Sequence, residues 1–153
     1  MLRALIAGVL GAAVLAGPAQ ALQLCAWMDE TAGEDDYREL KLWLEADGDA
    51  DFYYMIKGEG LVSEGMKGHS PNRGSYFLRP RTPDSPWKFG LTFRPPGTID
   101  VIVEIRQKPA DIFSDDEPPL LTAFTFHREA PEGETTPPKT FAAKQCATLG
   151  KPR

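Results

Sequence analysis

Three aspartates at alternate positions offer the most obvious chemistry in this chain. Asp47, Asp49 and Asp51 lie in the stretch ADGDADF, and hard cations such as Ca²⁺ bind where several carboxylate oxygens converge. An EF-hand loop starting at Asp47 would need glycine at its sixth position and glutamate at its twelfth, but Phe52 and Gly58 stand there. Two interpretations stay open: a looser calcium site on a loop, or a turn in which Asp and Gly are favoured for their backbone freedom.

The residues needed for most hydrolytic chemistry are scarce. The sequence has two histidines, His69 in KGHSPNRG and His127 in FTFHREA. It contains no G-x-S-x-G nucleophile elbow and no H-E-x-x-H zinc motif. We therefore expect no catalytic residues and no cofactor apart from calcium. A hydrolase that uses a pair of carboxylates stays an alternative, because the distance between the two groups depends on the fold and cannot be read from their spacing in the sequence.

Aromatic and basic side chains are the candidates for ligand binding. Trp43 and Tyr53 are predicted to share one face of a β-hairpin, where two flat rings can stack on a sugar or anchor a protein partner. Burial beneath a neighbouring loop is the alternative for this pair. Arg79 and Arg81 lie in the proline-rich stretch RPRTPDSP and would suit an anionic group on a ligand. Ordinary solvated loop charge is the alternative for the two arginines.

The alternation of apolar and polar residues predicts the hairpin that places these side chains. One strand is predicted over residues 37–45 and the next over 51–57, joined by a short loop centred on Gly48. The register that keeps the large apolar groups on one face sets three leucines against two aromatic residues and an isoleucine: Leu40 opposite Ile56, Leu42 opposite Tyr54, and Leu44 opposite Phe52. The same register pairs Glu39 with Lys57, and Trp43 with Tyr53.

A second hairpin and several further strands complete the predicted fold. Alternating apolar residues mark strands over 87–93 and 99–105, and the RPPGT stretch between them predicts a tight turn in which Gly97 is free to take a positive φ. Other strands are predicted at 22–28, 60–63, 75–79, 120–128 and 140–147. About eight short strands with proline-rich and glycine-rich connections predict an all-β fold, a single antiparallel β-sandwich of jelly-roll or immunoglobulin-like type.

The N-terminal stretch MLRALIAGVLGAAVLAGPAQA has the three regions of a secretory signal peptide. It carries a cation at Arg3, an apolar run, and a small-x-small cleavage site that ends at Ala21. We expect residues 1–21 to be removed, leaving residues 22–153 as a single domain that is secreted or periplasmic. No later apolar run approaches the roughly 18 residues that a membrane span requires, so no span is expected in the mature chain.

Cysteine content and charge narrow the expected environment and partners. The chain has two cysteines, Cys25 and Cys146, and a net charge of −5. In an oxidising compartment an even pair predicts one disulfide, which here would join the first strand to the last. The acidic balance argues against nucleic acid and anionic lipid as partners.

Two segments together resemble a known family. LKLWLEADGDADFYYMIKGEG, followed by LTFRPPGTIDVIVEI, is similar to the bacterial pre-peptidase C-terminal domain over residues 40–106. The positions that match the family's motif are Gly48, Asp49, Asp51 and Tyr53. The resemblance implies a small β-sandwich without catalytic residues, associated with binding of polymeric substrates or calcium.

These observations favour a non-catalytic binding module of the cell envelope. Its expected partner is a polysaccharide or a protein in the envelope or outside the cell. An enzyme inhibitor or accessory protein is the alternative, with RPRTPDSPW and EAPEGETTPPK as the stiff loops that it would present, because preorganised loops lose less entropy on binding. The carboxylate-based hydrolase is the third alternative.

Overall fold

Eight β-strands make up the regular secondary structure of the part of the chain that the computed structural model describes, residues 21–58, 72–111, 113–138 and 140–150. In chain order they are β1 (Leu22–Ala32), β2 (Tyr37–Ala46), β3 (Ala50–Lys57), β4 (Arg73–Leu78), β5 (Asp84–Thr92), β6 (Gly97–Arg106), β7 (Leu120–Ala130) and β8 (Thr140–Leu149). Sheet A has the order β5-β2-β1-β8, and sheet B has the order β4-β3-β6-β7. The predicted all-β antiparallel sandwich is confirmed. Across the described ranges, no helix is long and apolar enough to cross a membrane.

The strand order is that of an immunoglobulin-like sandwich. In the lettering used for that fold, β1, β2 and β5 correspond to the A, B and E strands of one sheet. The other sheet, β4-β3-β6-β7, corresponds to C′-C-F-G. β8 extends the first sheet beside β1.

The core lies between the two sheets and is formed by alternate side chains of the strands. Its fully buried members include leucines on β1 and β2 and aromatic residues on β3, β5 and β7: Leu24, Leu40, Leu42, Leu44, Phe52, Trp87, Phe89 and Phe126. Trp87 and Phe89 stack within it at a centroid distance of 5.6 Å. Burial of each such side chain stabilises the fold by roughly 1.5 to 3 kcal/mol, so this layer holds the sheets together.

Both predicted hairpins are wrong, because their strands lie in different sheets. β2 is in sheet A while β3 is in sheet B, and β5 and β6 are divided in the same way. Leu40, Leu42 and Leu44 therefore enter the same core as the buried side chains of β3, but from the opposite sheet. The alternation of apolar and polar residues predicts which side chains point inward. It does not distinguish two strands paired in one sheet from two strands in facing sheets, because both arrangements place the same side chains in the core.

The side-chain pairs predicted from that register are also wrong. Glu39 forms an ion pair with Lys88 of the neighbouring β5, with 3.1 Å between Oε2 and Nζ. Lys57 forms one with Glu104 of β6 at 2.9 Å, which lowers the pKa of that carboxyl. Among the described glycines, Gly133 is the one with a positive φ, of 79°, so Gly97 does not adopt the positive φ that was open to it.

A tight hairpin joins β1 to β2. Asp35 and Asp36 have φ values of 52° and 60°, and the Tyr37 amide donates to the Glu34 carbonyl at 3.0 Å. Positive φ at both central residues defines a type I′ turn, whose twist suits two adjacent antiparallel strands. Aspartate tolerates this left-handed backbone better than most residues.

The predicted disulfide is confirmed. Cys25 of β1 and Cys146 of β8 lie opposite each other in the strand register, with 2.04 Å between the sulfur atoms and 4.0 Å between the Cα atoms. Cys25 alternates with the inward-facing Leu24 and Ala26, which places the bond on the outer side of sheet A.

The remaining strand predictions divide between described and undescribed residues. Those at 22–28, 75–79, 120–128 and 140–147 correspond to β1, β4, β7 and β8. The predicted strand at 60–63 lies outside the described residues, as does the signal peptide except for Ala21.

Candidate functional site

Two tryptophans stand side by side on the outer face of sheet A. Trp27 of β1 and Trp43 of β2 are direct partners in the strand register, and these are the two central strands of the sheet. The ring centroids are 6.3 Å apart and the planes differ by 11°, so the indoles are stacked. Both side chains are partly exposed. We call this region the tryptophan face.

Polar neighbours hold the two rings in place. The Trp43 Nε1 donates a hydrogen bond of 2.9 Å to Asp29 Oδ2. The Lys41 ammonium lies 4.1 Å from the centroid of the Trp43 ring, and the Lys144 ammonium lies 4.8 Å from that of Trp27. At exposed sites such cation–π contacts contribute about 0.5 to 1 kcal/mol each. The aromatic surface is therefore oriented before any ligand arrives.

The charges around the tryptophan face balance each other. Lys144 forms an ion pair with Glu45 at 3.2 Å, Lys88 pairs with Glu39, and Asp29 and Lys41 supply one further charge of each sign. Aromatic rings flanked by donors and acceptors, with no excess of either charge, suit a ligand that has an apolar face and many hydroxyl groups.

The four residues predicted to bind a ligand do not come together. Trp43 is on the tryptophan face, whereas Tyr53 lies on the outer face of sheet B, beside the loop of residues 109–118. Tyr53 is partly exposed and lines a depression together with residues of that loop. Arg79 and Arg81 are exposed in the connection between β4 and β5.

The partner of Trp43 is Trp27, which sequence reasoning missed. The signal was present, since Trp27 is out of phase with Leu24, Ala26 and Met28 and must point away from the core that they enter. The alternation of apolar and polar residues does not indicate that β1 pairs with β2.

The three aspartates of the ADGDAD stretch are engaged separately. Asp47 Oδ1 accepts a hydrogen bond of 2.9 Å from the Gln23 amide, and Asp51 forms an ion pair with Lys108 at 3.2 Å. In the described part of the chain, no three Asp, Glu, His or Cys side chains are grouped closely enough to hold a metal ion. Calcium binding by Asp47, Asp49 and Asp51 stays a prediction, and it would require Lys108 to release Asp51.

A cleft of about 600 Å³ opens beside these aspartates at one end of the sandwich. Its apolar walls come from Leu22, Phe52, Leu121 and Leu149. We call it the end cleft.

A second depression, of about 640 Å³, lies between the outer face of sheet B and the 109–118 loop. Tyr53, Met55 and Arg73 form its floor, and Asp111, Asp115, Asp116 and Glu117 line its acidic side. The neighbouring Phe113 is 87% exposed. The chemistry of this depression is dominated by the four carboxylates of the loop.

Of the two histidines in the sequence, His127 is the one that lies within the described residues. It lies on the outer face of sheet B with its Nδ1 2.5 Å from Asp100 Oδ1. This hydrogen bond, together with the charge of Asp100, raises the pKa of His127. His69 lies outside the described residues.

Comparisons with protein families, with curated proteins and with solved structures found no match. The resemblance to the pre-peptidase C-terminal domain therefore stays an expectation from the motifs alone.

Proposed function

We propose that this protein is a non-catalytic binding module, secreted or periplasmic and associated with the cell envelope, which binds a polysaccharide through the tryptophan face. The observation that carries the proposal is the stacked, partly exposed pair of Trp27 and Trp43 on the two central strands of sheet A. Central strands are fixed by neighbours on both sides, so the rings form a rigid surface that loses little entropy when a ligand binds.

The charge pattern favours a polysaccharide over a protein. Protein interfaces are commonly depleted in Lys and Glu at their centre, whereas the stacked indoles are surrounded at close range by Lys41, Lys144, Glu45 and Asp29. The two ammonium groups lie over the indole rings. Once they swing aside for a sugar, they can bond its hydroxyls while the rings contact its C–H face.

The disulfide supports the proposed location. Bonds such as Cys25–Cys146 form and persist in oxidising compartments and are rare in the cytosol. The signal peptide predicted over residues 1–21 directs the chain to such a compartment.

A binding screen tests the proposal. The protein is incubated with insoluble cellulose, chitin and peptidoglycan, and soluble polysaccharides are cast into native gels to detect retardation. We expect retention by at least one polymer, and loss of that retention in Trp27→Ala and Trp43→Ala. Phe113→Ala is the matched control, because it removes an exposed ring that lies beside sheet B. Retention that both tryptophan variants keep would contradict the proposal.

A second candidate, the enzyme inhibitor, is favoured by the loop that carries Arg79 and Arg81. The Arg81 amide donates to the Ala46 carbonyl at 2.7 Å, Arg81 has a φ of 53°, and the Thr82 hydroxyl donates to the Pro80 carbonyl at 3.1 Å. A restrained loop with two exposed arginines suits the pocket of a protease that cleaves after arginine. Inhibition of trypsin by the native protein, abolished in Arg79→Ala or Arg81→Ala, would support this function over the first.

A further inference from the structure

Three of the four edge strands of the sandwich are protected against pairing with another chain. β5 contains Pro86, which has no amide hydrogen to donate, and its pairing with β2 is irregular between Leu42 and Leu44. β7 and β8 approach each other at one side of the sandwich, where the Gln145 side chain of β8 donates to the Thr125 carbonyl of β7 at 2.8 Å. Such features hinder the extension of a sheet into a neighbouring molecule.

β4, the remaining edge strand, has none of these features. Residues 74–78, Gly-Ser-Tyr-Phe-Leu, contain no proline and no charged side chain. One side of β4 pairs with β3 along the whole strand, and on the other side its main chain forms no hydrogen bond with the described residues. Phe77 is 52% exposed. An uncharged edge strand rich in aromatic residues is a template for a further strand.

A second copy of the chain can add its own β4 to this edge in two registers. Residues opposite each other must lie on the same face of the sheet, so an antiparallel pair of identical strands is centred on one residue. Within β4 (Arg73–Leu78), a centre at Ser75 pairs residues 73–77 and a centre at Tyr76 pairs residues 74–78, whereas any other centre pairs fewer. With the centre at Tyr76, Arg73 would lie opposite Arg79, and like charges so placed are destabilising.

We propose that β4 pairs with β4 of a second copy about Ser75, so that sheet B continues from one molecule into the other. In this register Arg73 of each copy lies opposite Phe77 of the other, on the outer face where both side chains are exposed. A guanidinium over an aromatic ring is a favourable cation–π contact, and twofold symmetry forms it twice. Gly74 lies opposite Tyr76 of the second copy, and an aromatic residue so placed supports the register of an edge glycine.

This pairing places both tryptophan faces on the same side of the dimer. The twofold axis of an antiparallel strand pair is perpendicular to its sheet, so the two copies of sheet A lie on one side of the extended sheet B. Trp27 and Trp43 of both copies then point in about the same direction. A polymer with repeated sugar units can engage both faces at once, and bivalent binding raises the apparent affinity. This consequence rests on the proposed polysaccharide function, whereas the pairing of β4 does not.

Sedimentation equilibrium of the purified protein, from about 1 μM to about 1 mM, tests the pairing, because an interface of one strand pair is small and gives a weak complex. We expect the mean mass to rise with concentration from one chain to two. Phe77→Arg should stay monomeric, because it sets arginines opposite each other. Leu120→Arg, the same change at an exposed apolar residue of β7 on the opposite edge of sheet B, should dimerise like wild type. A wild-type protein that is monomeric throughout, or a Phe77→Arg variant that dimerises equally, would overturn the proposal.

A charge swap tests the register. In the double variant Arg73→Glu, Phe77→Arg, the register about Ser75 sets each glutamate opposite an arginine of the second copy, so dimerisation should return. A folded double variant, as judged by thermal melting, that stays monomeric would overturn the register.

Polysaccharide binding by the monomeric variant tests the consequence for function. Phe77→Arg should bind a retained polymer on the order of 100-fold more weakly than wild type, and a short oligosaccharide with equal affinity. Equal affinity of both proteins for the polymer would contradict bivalent binding. The mass measurements contain no polysaccharide, so failure of the polysaccharide function and failure of the β4 pairing are distinguishable.

Discussion

Arg128 of β7 and Glu30 of β1 form a bidentate ion pair inside the sandwich and so connect the two sheets. Arg128 Nε lies 2.5 Å from Glu30 Oε2, and its Nη2 lies 2.6 Å from Oε1. Arg128 also donates to Glu134 at 2.9 Å, and both partners of the pair are almost fully buried. Burial opposes the charge on Arg128, but the hydrogen bonds to Glu30 and Glu134 outweigh it and raise its pKa.

Removal of one partner of this pair should destabilise the fold strongly. Glu30→Gln removes the buried carboxylate that Arg128 shares with Arg38, and leaves Arg128 with Glu134 as its counter-charge. Breaking a buried ion pair typically costs about 3 to 5 kcal/mol. Glu39→Gln is the matched control, because its partner Lys88 is half exposed and surface pairs contribute about 0 to 1 kcal/mol. Urea denaturation measures both, and similar losses in the two variants would contradict the role of Glu30.

The disulfide should contribute a comparable amount. Cys25 and Cys146 are 121 residues apart, and in the chain-entropy model a loop of this length stabilises the folded state by about 5 kcal/mol, less any native strain. The double variant Cys25→Ser, Cys146→Ser should therefore unfold at a clearly lower urea concentration. An unchanged midpoint would contradict a stabilising role for the disulfide.

His127 should titrate above the ordinary histidine value of about 6.5, since Asp100 stabilises its protonated form. A raised folded-state pKa means that the contribution to stability is complete below the unfolded pKa and is lost as the pH rises through the folded pKa. NMR titration of the imidazole should show the raised pKa, and Asp100→Asn should lower it. A wild-type pKa at or below that of the Asp100→Asn variant would contradict the assignment.

The fold class could be read from the sequence because alternation determines which side chains enter a core. The sheet assignment could not, since some consecutive strands pair with each other, as β1 and β2 do, whereas others, such as β2 and β3, lie in different sheets. β2 lies between β1 and β5, and β3 lies between β4 and β6. The residues at the β2–β3 turn give no indication of either pairing. The predicted register that set Trp43 opposite Tyr53 was therefore wrong.

The buried ion pair had a signal that sequence reasoning did not use. Glu30 is in phase with Leu24 and Met28, and Arg128 is in phase with Phe124 and Phe126. A charged residue that continues an inward-facing series must be paired or be excluded from the core. Two such residues of opposite sign, on the first and the penultimate strand, would have predicted a contact between the sheets.

Measured affinity for the polysaccharide found in the screen tests the central claim most directly. Isothermal titration should show that Trp27→Ala and Trp43→Ala each weaken binding by about 30-fold, corresponding to roughly 2 kcal/mol for a tryptophan that dominates an interface. Phe113→Ala should bind like wild type, and thermal melting should show that all three variants are folded. Wild-type affinity in the folded Trp43→Ala variant would contradict the assignment of the tryptophan face as the binding site.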